Sequence, residues 1–306
     1  MSRRHMNRFT IEQVLDIAEV IHSRGSRKVW RIGDYILKQT PYDGVNNEVA
    51  TLRFVQQHTT IPVPVVYDEW LSPDRRFHYI LESRIPGKSL KQCWGVLSRK
   101  GRERIARTVL KYMQELSQFR SDRLESISSN KLRLNNFVPK PYKVLLNIWR
   151  TDNDIFDNEY RPALLSSGVD DGVILVLKNT MPPCQGQYTL THGDLFTGNI
   201  IVDPVKEQVT GIIDWESAGF WPAWFQYARI THGAGGWDDE WKALLSRAMR
   251  ATHLPPHSKH GRIWWDAVYE LLDHPGSSLA REWIKKIIRY LAGENVSLDN
   301  YDGFGL

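Results

Sequence analysis

Two short stretches decide how this chain is expected to fold: His192-Gly-Asp-Leu-Phe-Thr-Gly-Asn199 and Ile212-Ile-Asp-Trp-Glu216. The first lies between apolar residues, which places Asp194 on a loop between two short strands. An aspartate on such a loop can orient a hydroxyl group and accept its proton. The side chain of Asn199, further along the same loop, can offer its amide oxygen to a metal ion.

The segment between the two stretches predicts a β-hairpin. Residues 200–202 and 209–213 are rich in isoleucine and valine, and Asp203-Pro204 between them is a turn signal. This hairpin would return Asp214 to the side of Asn199. A carboxylate and an amide oxygen would then converge on a hard cation such as Mg²⁺, whose remaining ligands would be phosphate oxygens and waters.

Each of these residues alone has an ordinary structural explanation, but their order and spacing favour a catalytic site. The pattern resembles the catalytic half of the protein-kinase-like superfamily. Gly193 stands where protein kinases have an arginine, Asp214-Trp-Glu216 replaces Asp-Phe-Gly, and no Ala-Pro-Glu segment follows. The residues of these two motifs are most similar to those of the aminoglycoside phosphotransferase family and its choline kinase-like relatives. Ile61-Pro-Val-Pro64 and the stretch 79–90 match that family too, so the resemblance covers about residues 20–230.

The resemblance implies an α+β, bilobal, protein-kinase-like fold. A small β-rich N-lobe would comprise residues 1–85, and a larger, mainly helical C-lobe would comprise residues 86–306. The cofactors implied are ATP and Mg²⁺, with Asp194 as the catalytic residue and Asn199 and Asp214 as metal ligands. His192 is expected to hold the loop through backbone hydrogen bonds.

The nucleotide-binding residues are expected in the first third of the chain. Lys38 ends a predicted strand and matches the ATP lysine of the family, and Glu48 on the next helix is its expected partner; a solvated lysine and an exposed glutamate are the ordinary alternative. Ser26 follows Gly25 where a phosphate loop would lie, although the loop could equally have no function. The segment from Glu82 to Arg84 is interpreted as the hinge that binds adenine through its backbone, so that side-chain identity would matter little there.

The acceptor is expected to be a small hydroxyl-bearing molecule. An acidic run would suit a cationic, amine-bearing acceptor, but a solvated insertion explains it at least as well. It comprises Asp152, Asp154, Asp157, Glu159, Asp170 and Asp171. An aromatic cluster could stack on an aromatic or cationic acceptor, although most of its members are more simply core residues. It comprises Trp221, Trp224, Phe225, Trp237 and Trp241.

The composition favours an ordinary globular protein. The chain has 306 residues, is 42% hydrophobic and carries a formal net charge of +5. Its two cysteines form no disulfide or zinc pattern, its basic start lacks an apolar signal region, and no apolar run is long enough for a membrane span, so a cytoplasmic location is expected. The basic residues within 99–111 read as the solvated face of an amphipathic helix rather than a nucleic-acid patch. A monomer or weak dimer is expected.

Hydrophobic periodicity and turn signals predict the remaining elements. They are a helix that begins at Thr10, a hairpin of 29–32 and 35–37, a helix over 45–57, strands over 65–70 and 77–82, a helix over 102–119, and a last helix with Trp283, Ile284, Ile287, Ile288 and Leu291 inward.

Two rival functions remain. A pseudokinase, which binds nucleotide without turnover, would be expected to lack a key residue; only the reduced phosphate loop points that way. A protein kinase is disfavoured by Gly193 and by the missing Ala-Pro-Glu segment.

Overall fold

An antiparallel sheet forms the first part of the structure. The computed structural model describes residues 18–42, 44–128, 132–134, 144–146, 148–184, 188–231, 237–252 and 254–296. Five strands pair in the order β1-β2-β3-β5-β4. They are β1 (Glu19–Arg24), β2 (Arg27–Ile32), β3 (Tyr35–Pro41), β4 (Val66–Leu71) and β5 (Phe77–Ser83), and helix α1 (Glu48–His58) lies between β3 and β4.

Strand β1 is an addition to the predicted elements. All six of its residues are exposed, so it has no buried face and no alternation of apolar and polar residues that would reveal it. It is joined to β2 by the turn at Gly25, whose φ of 59° suits a glycine. The segment expected to be a phosphate loop is therefore the tip of a hairpin. The helix predicted to begin at Thr10 lies outside the described residues.

The rest of the structure is mainly helical, with short strands between the helices. The strands are β6 (Lys88–Ser89), β7 (Arg120–Ser121), β8 (Leu132–Leu134), β9 (Val144–Leu146), β10 (Tyr188–Thr191), β11 (Ile200–Asp203), β12 (Gln208–Ile212) and β13 (Gly219–Pro222). The α-helices are α2 (Leu90–Cys93), α3 (Arg99–Leu116), α4 (Asp152–Ile155), α5 (Arg161–Ser166), α6 (Asp171–Asn179), α7 (Phe225–Thr231), α8 (Trp237–Ala251), α9 (Ser258–Asp273) and α10 (Ser278–Leu291). Strands and helices are segregated, as the α+β prediction requires.

Helix α1 joins the sheet to the helical part through a shared core. Leu52 and Val55 of α1 belong to the same buried cluster as Ile105 and Val109 of α3 and Ile200 of β11. Because all five side chains are at most 1% exposed, the helix that carries Glu48 is anchored to the strands that flank the catalytic loop.

The predicted helix boundaries are close to the observed ones, but the buried face of the last helix is narrower than predicted. On α10, Trp283 and Ile287 are buried as expected. Ile288 and Leu291, also expected to face inward, are 51% and 50% exposed, because the buried stripe of this helix is narrow and runs through Ala280.

Two simpler features of the fold concern membranes and cysteines. Among the described residues, no helix combines the length and the apolar character that a membrane span requires. Cys93 and Cys184 are both free and buried.

The acidic run has structural partners within its own part of the fold. Asp157 forms an ion pair with Lys178 at 2.6 Å. Asp170 caps α6 by accepting the backbone N–H of Gly172 at 2.8 Å. Asp152 accepts a backbone N–H from the segment before β10. These three carboxylates therefore stabilise a helical insert, as the interpretation as a solvated insertion allows.

Glu159 of the same run makes folding stability depend on pH. It is buried and accepts the indole N–H of Trp149 at 2.6 Å; burial raises its pKa to about 7 despite that hydrogen bond. The folded state therefore holds a proton that the unfolded state, with a pKa of about 4.3, releases. The stability from this group is complete below pH about 4.3 and is lost as the pH rises to about 7.

We expect Glu159→Gln to remove this loss, because glutamine can accept the same indole N–H without becoming charged. The variant should gain about 1–3 kcal/mol of unfolding free energy relative to wild type between pH 5 and pH 8, measured by urea denaturation. Glu103→Gln, at an accessible position on α3, is the control and should follow the wild-type pH dependence. Equal pH dependence of Glu159→Gln and wild type would contradict the assignment.

Candidate active site

His192 holds the catalytic loop in place. It is completely buried, and burial lowers its pKa to about 4, so the ring is neutral. Its Nδ1 accepts the backbone N–H of Asp194 at 3.2 Å, so Nε2 carries the proton and donates to the carbonyl of Ile213 at 3.1 Å. The prediction of a structural role for His192 is confirmed. One imidazole ring ties the loop to the strand end that precedes Asp214.

Gly193 is required by backbone geometry. Its φ is +79°, and a Cβ atom built there would lie 2.6 Å from the carbonyl oxygen of Ser217. No other residue type fits this position without displacing the backbone. The absence of an arginine at this point of the motif therefore has a local steric cause.

The carboxylate of Asp194 is oriented from both sides. Asn199 donates its side-chain N–H to Asp194 Oδ2 at 3.1 Å and to the Asp194 carbonyl at 2.8 Å. Arg229 of α7 donates to Oδ1 at 3.3 Å. Burial raises the pKa of Asp194, and Arg229 and Asn199 partly offset that effect. Arg229 was not anticipated, because a single arginine outside any motif gives no signal in the sequence.

The predicted hairpin brings Asp214 to Asn199. Strands β11 and β12 pair antiparallel with Ile200 opposite Ile212, and the N–H of Ile213 donates to the carbonyl of Asn199 at 3.0 Å. Asp214 itself has a φ of 66° and a ψ of 64°, an uncommon conformation for a non-glycine residue. The hairpin prediction is confirmed, and its geometry sets the two candidate metal ligands side by side.

The electrostatics around Asp214 favour a cation. Burial raises its pKa to about 7, and the negative charges of Glu48, Glu216 and Asp194 add to that effect, while Lys38 opposes it. A carboxylate with so many negative neighbours is stabilised by a nearby positive ion. The side-chain nitrogen of Asn199 donates to Asp194, so its amide oxygen faces a different direction and can act as a second oxygen ligand.

Lys38 lies between two glutamates. Its ammonium is 2.5 Å from Glu48 Oε1, the expected partner, and 3.1 Å from Glu82 Oε1. Burial would lower the pKa of Lys38, but the carboxylates of Glu48, Glu82 and Asp214 outweigh it and raise that pKa above its usual value. The three side chains thus form a buried cluster on one face of the sheet.

The contact between Glu82 and Lys38 corrects one expectation. Side-chain identity was expected to matter little at residues 82–84, yet the Glu82 side chain is 3% exposed and points at Lys38. In the register of β3 and β5, Glu82 lies opposite Ile36, which puts it on the Lys38 face of the sheet. Burial raises the pKa of Glu82 to about 7, despite the opposing charge of Lys38.

Ser26 and Arg84 lie at the surface. Ser26 is exposed at the tip of the β1–β2 hairpin. Arg84 is also exposed, and its backbone N–H donates to the carbonyl of Asp34 at 2.9 Å. The N–H of Ser83 donates to the Val65 carbonyl in the same way. The backbone N–H groups of Ser83 and Arg84 are therefore already used within the fold.

Arg27 and Glu216 form a contact that sequence reasoning missed. One guanidinium nitrogen of Arg27 lies 2.6 and 2.7 Å from the two carboxylate oxygens of Glu216. The ion pair joins the β1–β2 hairpin to the turn that follows Asp214, and the negative charges of Glu216 and Asp214 raise the pKa of Arg27 against the effect of burial. The sequence does not indicate it, because the two residues are 189 positions apart and belong to no common motif.

Basic and aromatic side chains lie close to Asp194. The guanidinium of Arg229 and the ammonium of Lys242 lie 4.6 and 5.0 Å from the ring centroid of Phe196. Both distances are within the range of cation–π contacts.

The aromatic cluster after Asp214 is part of the core. Trp221, Trp224 and Phe225 are 1% exposed and Trp241 is fully buried, while the Trp237 side chain lies outside the described residues. The interpretation of most of these residues as core is confirmed for the described members. Trp241 also donates its indole N–H to the Leu195 carbonyl at 3.3 Å, so this core residue helps to hold the catalytic loop.

Comparison with known proteins identifies a matching family and solved structures with a similar fold. The model of the phosphotransferase enzyme family matches residues 17–258. No curated protein sequence is significantly similar to the chain.

Solved structures with similar folds are aminoglycoside phosphotransferases. A thermostable mutant of APH(4)-Ia in a ternary complex with AMP-PNP and hygromycin B has a TM-score of 0.61 and 15% identity, and the match covers 95% of this chain and 98% of that one. The GDP and kanamycin complex of APH(2")-IIIa has a TM-score of 0.59 and 17% identity, with 99% and 100% covered. At this identity the similarity shows a shared protein-kinase-like fold.

The geometry of the catalytic loop predicts that Gly193→Ala damages both stability and turnover. The left-handed conformation costs an alanine roughly 1–2 kcal/mol, and the contact with the Ser217 carbonyl displaces the loop further. Gly198→Ala is a matched control, because no heavy atom lies within 4 Å of its added Cβ. Denaturation and ATP turnover should separate the two variants; similar losses in both, or in neither, would contradict the steric role of Gly193.

Proposed function

The chain belongs to the phosphotransferase enzyme family, and from this premise we propose that it transfers the γ-phosphoryl group of ATP to a hydroxyl group of a small molecule. The observation that carries the proposal is the orientation of Asp194 by Asn199 and Arg229, next to Asp214 and the Lys38–Glu48 ion pair. A base for the hydroxyl, oxygen ligands for a metal and a cation for phosphate thus occur in one place.

Lys38 is proposed to bind the α- and β-phosphates. An ammonium group has three N–H donors, and contacts with Glu48 and Glu82 leave one of them for a phosphate oxygen. Arg27 and the hydroxyl of Ser26 lie on the hairpin above the same face and would support the phosphates. The segment from Glu82 to Arg84 would line the base. Residues 1–85 would then form the nucleotide-binding lobe, and residues 86–306 the catalytic lobe.

Asn199 and Asp214 fit a Mg²⁺ site. Both offer oxygen atoms, and Asp214 has a surplus of negative charge around it. No group of three His, Cys, Asp or Glu suited to a metal occurs in the described part of the chain, so two protein ligands would be completed by phosphate oxygens and waters. When bound, Mg²⁺ would neutralise charge on the phosphates that accompany it.

Asp194 is proposed to orient the acceptor hydroxyl and to take its proton late in the transfer. Phosphoryl transfer depends mainly on positioning and charge, so a carboxylate fixed by two donors suits this role. A small-molecule acceptor is favoured over a protein because the backbone at Gly193 excludes the arginine that responds to activation-loop phosphorylation. The solved aminoglycoside phosphotransferase complexes hold hygromycin B and kanamycin, both small molecules.

The first prediction from this proposal concerns Asp194→Asn. Asparagine keeps the size of the side chain but cannot accept the proton, so turnover should fall by about 10²- to 10⁴-fold while ATP affinity stays within a few-fold. A panel of hydroxyl-bearing metabolites, with phosphorylation read by mass spectrometry, would first identify an acceptor.

Two outcomes would contradict the proposal for Asp194. If Asp194→Asn retained wild-type turnover, Asp194 would not be the base. If the wild-type protein bound ATP but phosphorylated nothing across a broad panel, the pseudokinase alternative would replace the enzyme.

The second prediction concerns Asp214→Asn and the metal. The variant should lose the increase in nucleotide affinity that Mg²⁺ gives the wild type, because one of two oxygen ligands loses its charge. Calorimetric titrations with and without Mg²⁺ would measure this effect. Asp203→Asn, in the turn between β11 and β12, is the control. An unchanged Mg²⁺ response in Asp214→Asn would remove Asp214 from the metal site.

A further inference from the structure

A cavity of about 770 Å³ lies in the helical part of the structure, between α3, β10, α7 and the segment after α8. Its inner wall is apolar and buried: Leu110 and Ala223 are 7% exposed, and Met113 and Met249 are 3% exposed. None of Lys38, Asp194 or Asp214 lines it. Its volume falls within the range of about 300–1,000 Å³ that is usual for small-molecule sites.

Gln226 gives the inner wall a polar group. This side chain is 7% exposed, and its Oε1 accepts a hydrogen bond from the Thr191 hydroxyl at 3.3 Å. Its Nε2 is closed off from solvent and has no hydrogen-bond partner among the described residues. A buried amide N–H without an acceptor is unfavourable, so a ligand that offers an oxygen after a small rotation of the side chain would relieve it.

The rim of the cavity is polar and carries a positive charge. Arg120 lines the opening and is exposed, together with Gln114 and Gln118. An arginine at the mouth of an apolar cavity favours a ligand with an anionic head. The two methionines on the inner wall can adapt to a flexible chain, because their side chains are unbranched and polarisable.

We propose that this cavity is a second binding site, separate from the proposed active site, for a small amphipathic carboxylate of the fatty-acid type. One end of the ligand is apolar and packs on the methionine-rich wall. The carboxylate lies at the rim next to Arg120, while the Gln226 amide belongs to the inner wall. The charge of Arg120 at the rim, the volume of the cavity and the buried amide of Gln226 point to this ligand, whether or not the protein transfers phosphoryl groups.

The site is also connected to the catalytic loop. Thr191, which donates to Gln226, directly precedes His192, and Gln226 lies on the same helix as Arg229, the partner of Asp194. The wall that contains Gln226 is thus linked to the residue before the catalytic loop and, through α7, to a partner of Asp194.

Isothermal titration of the full chain with decanoate, kept below its micellar concentration, tests the proposal. Wild-type protein should bind about one decanoate per chain, and decanol, which lacks the charge, should bind about tenfold more weakly. Arg120→Leu should reduce decanoate to the affinity of decanol. Ala223→Leu, which puts a larger side chain on the inner wall, should weaken the binding of both.

Arg107→Leu is the matched control, because Arg107 is an exposed arginine on α3 that does not line the cavity. It should bind decanoate like wild type. Circular dichroism melting would show that each variant is folded; Arg120 is exposed, so Arg120→Leu keeps the test valid if Ala223→Leu does not fold. The proposal is overturned if wild type shows no saturable binding, if many decanoates bind per chain, or if Arg120→Leu and Arg107→Leu bind alike.

Discussion

The structure depends on gathering several carboxylates in one buried place. Glu48, Glu82, Asp194, Asp214 and Glu216 come from four segments of the chain and converge on the proposed active site. Lys38 lies within ion-pair distance of two of them, Arg229 of a third and Arg27 of a fourth. Removing one partner of such a buried pair typically costs about 3–5 kcal/mol, because the other charge is left uncompensated. These cations therefore hold the sheet, the hairpin and the helices together as well as the site.

Asp214 is the carboxylate of this group that no cation contacts directly among the described residues. The described residues give it no ion pair, and its pKa of about 7 reflects burial among other negative charges. A protein can tolerate such a group when a ligand brings the missing positive charge. The same reasoning explains why Asn199, rather than another carboxylate, stands beside it: an amide oxygen can ligate a cation without adding to the negative charge.

The parts of this site that could be predicted are those encoded by contiguous motifs or by hydrophobic periodicity. The hairpin of β11 and β12 was predictable because its strands are apolar and its turn contains a proline, and the Lys38–Glu48 pair followed from a strand and a helix in sequence order. The contact of the Glu82 side chain with Lys38 could not be foreseen, because the direction of that side chain depends on the register between β3 and β5. Arg27 and Arg229 are single basic residues, and only tertiary structure distinguishes them from the other arginines of a basic chain. The acidic run was conspicuous in the sequence, yet its charges are used for helix capping and ion pairs within one insert.

At Gly193, one steric constraint explains both the need for a glycine and the absence of the arginine that protein kinases have at this position. The catalytic loop passes so close to Ser217 that a side chain at position 193 would collide with its carbonyl. The close approach follows from His192, whose two ring nitrogens are hydrogen-bonded to backbone groups. These hydrogen bonds hold the loop against the strand before Asp214. A loop held this way has no room for an arginine that would couple it to a phosphorylated segment. Asp194 is instead held by neighbours such as Arg229, whose helix α7 also forms one wall of the separate cavity.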